Sequence, residues 1–190
     1  LLWGAIRTCK SSDTPKVLFT TDKDNKEDLI RRVVNAGHGS ILEHVAVSYS
    51  VSGVSRSLLA QLSRHRVGVS LSVRSQRYVT EANFDYVIPR SLEKNPRAKE
   101  LYEMFMDMTQ DCYERLLSEG IPKEDARMVL PNATYTDFIV TVNLRSLLHL
   151  WVERVEKKGA QWEIKELVEE MVNQYVEAEP WAKVIFTEIN

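Results

Sequence analysis

"RHRVGVSLSVRSQRY", residues 64–78, sets four arginines and a histidine among small serines and valines, with no acidic residue to neutralise them. The chain as a whole is nearly balanced, with 25 basic residues against 27 acidic ones and a formal net charge of -2. A protein that coats nucleic acid or an anionic membrane carries a general basic excess. Here the positive charge is concentrated, which points to a small anionic ligand rather than to nucleic acid or a membrane. Arg64, Arg66, Arg74 and Arg77 are interleaved with Val67, Val69, Leu71 and Val73. That pattern predicts a segment partly inside the fold, where an unpaired guanidinium is costly and a bound anion would satisfy it. A structural reading stands beside this one, since basic residues at a helix C-terminus contribute about 0.3–1 kcal/mol each with no ligand at all.

Working outward, "VSRSLLAQLSRHR" places Leu58, Leu59 and Leu62 at helical spacing, so residues 64–66 fall near that helix's C-terminal end. Upstream, "EHVAVSYSVSG" alternates Val45, Val47, Tyr49 and Val51, a half-buried strand ended by Gly53. "DKDNKEDLIRRVVNAGHG" is acidic first and basic later, as a helix ended near Gly37 should be. Downstream, Leu101, Phe105, Met108, Cys112 and Leu116 recur at steps of three and four, predicting an amphipathic helix over residues 96–119 with these on its apolar stripe. Pro122 opens a further helix that Pro131 closes. "TYTDFIVTV" reads as a strand, and "NLRSLLHLWVERVEKK" and "QWEIKELVEEMVNQYVEAEP" as helices. The expected class is α+β, helix-rich, with a small and mostly antiparallel sheet. With no internal repeat or low-complexity linker, the 190 residues read as a single domain.

Seven glycines nowhere form GxGxxG or a Walker A loop, so both usual backbone cradles for phosphate are missing. Any nucleotide must then be gripped by side chains. Arginine suits that task, because its planar, permanently charged fork matches phosphate oxygens bidentately.

With this in view, "RHRVGVSLSVRSQRY" resembles the signature of the flavin-dependent thymidylate synthases, an Arg-His-Arg followed by a spaced serine and then Arg-Tyr. "HGSILEH" (38–44), "DARMVLP" (125–131) and "NLRSLLHL" (143–150), with Arg154 and "QWE" beyond, match in the expected order. The commonest family pattern puts the serine after seven intervening residues. Here that position holds Arg74, and Ser75 comes one later, as in a longer variant of the family.

The resemblance implies reductive methylation of dUMP to dTMP in de novo dTMP biosynthesis. The one-carbon unit would come from 5,10-methylenetetrahydrofolate and the hydride from FAD, itself reduced by NADPH. It also implies a homotetramer whose active sites are shared between subunits. Carried over by motif, Ser40, Arg64, His65, Arg66, Asn143, Arg145 and His149 would contact FAD. Gln61, Arg64, Arg74, Ser75, Gln76, Arg77, Arg127 and Arg154 would hold dUMP, with Arg154 polarising the uracil ring as the catalytic residue. On a straight helix, at about 100° per residue, Arg145 and His149 lie roughly 40° apart and Arg154 roughly 180° from Arg145. They would then serve different ligands or sites on two sides of one helix.

All four histidines, His38, His44, His65 and His149, fall inside these motifs. A metal site is not expected, because HExxH is absent and no cysteine supports one. Ser40 and Glu43 could also be N-cap and first-turn residues, and Arg127 a helix cap. Cys9 sits between basic neighbours yet reads as structural, and Ser75 lacks triad partners, so neither is taken as a nucleophile. Two cysteines without CxxC pairing suggest a reducing cytoplasm. No apolar run approaches the ~20 residues that span a bilayer. The chain opens at Leu1 without methionine, so a preceding segment is expected.

Overall fold

A computed structural model describes residues 1–20 and 26–187. Helices α1 (Leu2–Thr8), α2 (Pro15–Thr20) and α3 (Lys26–Asn35) open the chain. The start of the helix expected from residue 22 lies outside the described residues. Its described part carries Glu27 and Asp28 in the first turn and Arg32 in the last, and the chain leaves it at Gly37 with φ 82°. A 3₁₀ turn, Gly39–His44, leads into strand β1 (Ala46–Ser55), helix α4 (Arg56–Leu62) and strand β2 (Val69–Val73). Helices α5 (Arg90–Glu93), α6 (Pro96–Ser118) and α7 (Lys123–Ala126) follow. Strand β3 (Tyr135–Asn143) and helices α8 (Leu144–Trp151), α9 (Trp162–Ala178) and α10 (Lys183–Thr187) complete the described chain.

The three strands form one sheet in the order β1-β3-β2. Arg74 N donates to Asp137 O at one end of the β2–β3 pair and Asn143 N donates to Gly68 O at the other, so the two strands run antiparallel. Ser48 and Gly53 of β1 meet Thr141 and Asp137 of β3 in the same antiparallel sense. The helix-rich α+β class is the one expected.

The chain forms two compact units. Unit 1 comprises residues 1–49, 65–70 and 140–190, with a core that includes Leu42, Val142, Leu144, Leu147, Leu150, Ile164 and Met171. Unit 2 comprises residues 50–64 and 71–139, with Leu58, Leu62, Phe84, Met106, Tyr113 and Phe138 buried. No helix among the described residues is long and apolar enough to cross a membrane.

Several local expectations change. The first strand does not stop at Gly53 but runs on to Ser55, whose Oγ accepts from Leu58 N and caps α4. Strand β2 has no counterpart in the sequence reading, because its serines and valines were read only as spacers between arginines. The helix expected up to Pro131 is α7 followed by a 3₁₀ turn, Arg127–Val129, with Leu130 extended at ψ 135° as a residue before proline must be. Helix α6 is where expected, but it buries a different face. Leu101, Phe105, Met108 and Cys112 are exposed, while Met106, Thr109 and Tyr113 are buried. Both faces recur at helical spacing. The buried one is chosen by its polar tips: Tyr113 Oη accepts from Glu81 N, and Tyr102 Oη donates to Val87 O.

In unit 1, Tyr49 Oη donates to Met171 O at 2.9 Å and ties β1 to α9. Burial, and then the charge of Tyr175, push the Tyr49 hydroxyl well above the usual tyrosine range. Burial and then Glu179 push Tyr175 up to about 12. Both rings are raised, so the stability they add is complete below about pH 10, the ordinary tyrosine value, and is lost as pH rises through the raised values. Tyr49→Phe should therefore lower the unfolding free energy by about 1 kcal/mol at neutral pH. The gap between variant and parent should shrink above pH ~10, as read by urea denaturation at both pH values.

Candidate functional site

The Arg-His-Arg motif begins just past the Ser63 cap of α4. Its trailing Val67 and Gly68 dock on the start of α8. Asn143 caps that helix, its Oδ1 accepting from Ser146 N, while its own N donates to Gly68 O. Ser146 Oγ donates to Val67 O at 2.7 Å. Gly68 has φ +64°, and a Cβ there would lie 2.5 Å from Ser146 Oγ and 2.8 Å from Asn143 Cγ. Only glycine permits both that backbone and that approach. The basic loop is thereby held against the helix that carries Arg145 and His149.

Helix α8 does not continue straight into Arg154. Residues Val152–Glu156 form a π-turn, closed by Lys157 N donating to Val152 O at 3.0 Å, five residues back. The wider turn brings residues five apart onto one side, so His149 and Arg154 both meet His65. Arg154 Nε and Nη2 lie 3.0 and 2.9 Å from His65 Nε2, and the His149 and His65 rings stack edge-on at 5.7 Å. The straight-helix expectation, which sent these residues to different sites, is corrected on this point. Arg145 does go elsewhere, to the Glu43 carboxylate. Glu43 is thus an ion-pair partner, and Ser40, within the 3₁₀ turn, makes no helix cap. Beside Arg154, the Lys157 ammonium holds the Glu153 carboxyl below the usual range, against slight desolvation and with help from His149 and His65.

Ser40 lines a cavity of about 290 Å³ in unit 1, together with Arg7, Cys9, Lys10 and His38, and with Ile6, Leu29, Val33 and Ile41 as its apolar wall. Arg7 Nε is buried there without a hydrogen-bond partner. An orphaned guanidinium donor, two further basic side chains and an apolar wall suit a ligand with anionic and apolar parts, as a flavin nucleotide has. Cys9, expected to be structural, is an exposed free thiol on this cavity.

Unit 2 gathers the other arginines. Arg74 donates to Asp137 Oδ2 at 2.9 Å and to the buried Glu81 at 3.0 Å. Arg77 pairs with Glu124 at 2.8 Å and lies over the Tyr78 ring. Arg127 Nε caps the turn at Glu124 O, and Gln61 Nε2 reaches Ser57 O. Ser75 Oγ accepts from Arg77 N. Gln76 is 5% exposed and its Nε2 has no partner. Arg56, which the sequence reading missed, belongs to the same group. Burial lowers its pKa, Glu81 opposes that and Arg127 adds to it. Its only sequence signal was an arginine at a helix start, where basic charge is unfavourable.

The segment lies partly inside the fold, as expected, with Val69, Leu71 and Val73 half-buried and Gln76 buried, while Val67 is 87% exposed and the arginines are exposed. The acids missing from residues 64–78 are supplied by Glu81, just beyond the segment, and by Glu124 and Asp137 further along the chain. Gln161 caps α9, its side chain accepting from Glu163 N and Ile164 N. Among the described residues no group of three or more His, Cys, Asp or Glu side chains is arranged to hold a metal ion.

Residues 1–181 match the family described as thymidylate synthase complementing protein. Relatives named flavin-dependent thymidylate synthase include one from Geobacter sulfurreducens, 41% identical over 143 residues, which span 74% of this chain and 61% of that protein. One from Nitratidesulfovibrio vulgaris is 36% identical, with 90% and 75% covered, and one from Pyrococcus abyssi is 37% identical, with 97% and 79% covered. The fold also matches the crystal structure of a UMP/dUMP methylase from Streptomyces cacaoi bound with 5-Br dUMP. The TM-score is 0.83 at 23% identity, covering 99% of this chain and 89% of that one. The chain belongs to the flavin-dependent thymidylate synthases, a family of enzymes.

Gly68→Ala should destabilise the protein by about 1–3 kcal/mol, the cost of forcing a side chain into left-handed backbone and a filled space. Thermal unfolding of the variant would measure it, and an unchanged midpoint would mean that the loop does not dock on α8 as described.

Proposed function

We propose that the protein methylates dUMP to dTMP in de novo dTMP biosynthesis. FAD is its resident cofactor, NADPH the reductant and 5,10-methylenetetrahydrofolate the one-carbon donor. The observation that carries this reading is the meeting of His65 with His149 and Arg154, and of Gly68 just after the Arg-His-Arg motif with Asn143, in unit 1, residues far apart in the chain that the family motifs assign to one chemistry. In this reading Ser40, Arg64, His65, Arg66, Asn143, Arg145 and His149 hold FAD, with the Arg7 cavity taking part of it. The flavin supplies the hydride chemistry when bound.

Gln61, Arg64, Arg74, Ser75, Gln76, Arg77, Arg127 and Arg154 hold dUMP. The carboxylate partners of Arg74 and Arg77 do not oppose this. Exposed ion pairs are worth roughly 0–1 kcal/mol, and the side chains of Arg74 and Asp137 are each 38% exposed, those of Arg77 and Glu124 53% and 49%. A phosphate dianion can displace Asp137 and Glu124 with little loss, while the buried Glu81 stays paired with Arg74. The unpartnered Gln76 Nε2 is a ready donor to a ligand oxygen. Arg154 stabilises charge developing on the pyrimidine.

Self-assembly into a homotetramer with shared sites is part of the proposal. It is supported by the exposed face of α6, where Leu101 is 62%, Met104 52%, Phe105 55% and Met108 63% exposed. Apolar surface of that extent on one helix marks an interaction site. The 190 residues act as one thymidylate synthase domain, with small-molecule rather than nucleic-acid or membrane partners. Free thiols at Cys9 and Cys112 suit the reducing cytoplasm.

Purified protein reconstituted with FAD should show flavin absorbance and oxidise reduced flavin only when dUMP and the folate are added. Arg154→Ala should keep the flavin and lose dTMP formation by ~10²-fold or more. Failure to bind flavin, or full activity in that variant, would overturn the reading. Phe105→Glu should shift the particle to a smaller mass in light scattering.

A further inference from the structure

His65 Nε2 receives two donors of one guanidinium, Arg154 Nε at 3.0 Å and Nη2 at 2.9 Å. Arginine can only donate, and it keeps its proton across the whole working pH range. The shared nitrogen is therefore an acceptor. An imidazole that accepts at Nε2 carries its single proton on Nδ1 and has no charge. We propose that His65 is a positioning residue: as the neutral Nδ1–H tautomer it clamps one edge of the Arg154 fork and leaves the other donors aimed at the substrate. This rests on Arg154 acting on the pyrimidine, as proposed above.

The clamp has a mechanical purpose. Arg154 stands in the π-turn on a long, half-exposed side chain, which would otherwise sample many rotamers. Two hydrogen bonds to a ring that is itself packed edge-on against His149 remove that freedom before substrate arrives. Orientation of this kind is worth much of a rate, since a small misplacement costs ~10²-fold.

The cations around His65 favour the same protonation state, and the Glu153 carboxylate opposes them. Arg154 faces it from the π-turn and His149 from α8, and Arg64 and Arg66 flank it in the chain. Glu153 is the nearby acid whose carboxyl feels both imidazoles, and it is engaged by Lys157. A proton added at Nε2 would remove the acceptor and set a cation against the guanidinium. Acid therefore releases Arg154.

The test uses the flavin-loaded full chain labelled with ¹⁵N-histidine, with the His65 signal assigned through His65→Gln. In the parent protein His65 should remain the neutral Nδ1–H tautomer at pH values where the ring in Arg154→Ala is protonated. An Nε2–H tautomer in the parent, or protonation at the same pH in both, overturns the proposal. In kinetics with dUMP, His65→Ala should lose ~10²-fold in kcat/KM. His65→Gln, which offers an amide oxygen that does not titrate, should recover ~10-fold of that loss and lack the parent's acid-side fall. A glutamine variant no better than alanine also overturns it. A parent protein that makes no dTMP would sink the thymidylate reading alone, because the tautomer measurement still decides the clamp.

Discussion

A guanidinium cannot shed its charge, so every arginine of this protein must find a partner or stay in water. That constraint shapes the arginine contacts within each unit. Arg74 takes Asp137 and Glu81, Arg77 takes Glu124, Arg145 takes Glu43, and Arg154 takes a histidine lone pair. All of these partners except Glu81, seven residues from Arg74, come from a different stretch of the chain. In unit 2 the Arg77–Glu124 and Arg74–Asp137 pairs are solvent-accessible, whereas Glu81 holds Arg74 from a buried position.

Two departures from regular backbone make the arrangement possible. Gly68, at φ +64°, lets the basic loop lie against the Asn143 cap closely enough for Ser146 to bond Val67 O. The π-turn at Val152–Glu156 then adds a residue to the helix and swings Arg154 to the side occupied by His149. An uninterrupted α-helix would separate that pair by about 140°. Such insertions strain a helix and recur at functional sites, and here the gain is a guanidinium and two imidazoles in one place.

The outward face of α6 belongs to the same economy of surface. The helix buries the side chains whose hydroxyls have partners, and exposes Leu101, Phe105 and Met108. Burying tyrosines satisfies polar tips and apolar bodies together. The exposed aliphatic and aromatic stripe is what another surface would cover.

Periodicity and caps alone determined most of the elements. Alternation in β1, the β-branched run of β3, the leucine spacing of α4 and the prolines around α7 are local features, and local features are written in adjacent residues. The family motifs were legible too, because each is a short run. What only the tertiary structure decided is partnership. No spacing rule could say that Arg74 would meet Asp137, that α6 would turn Tyr113 inward rather than Met108, or that a π-turn would deliver Arg154 to His65. These outcomes depend on which distant surfaces meet, and on hydrogen-bond demands that become costly only once water has been excluded.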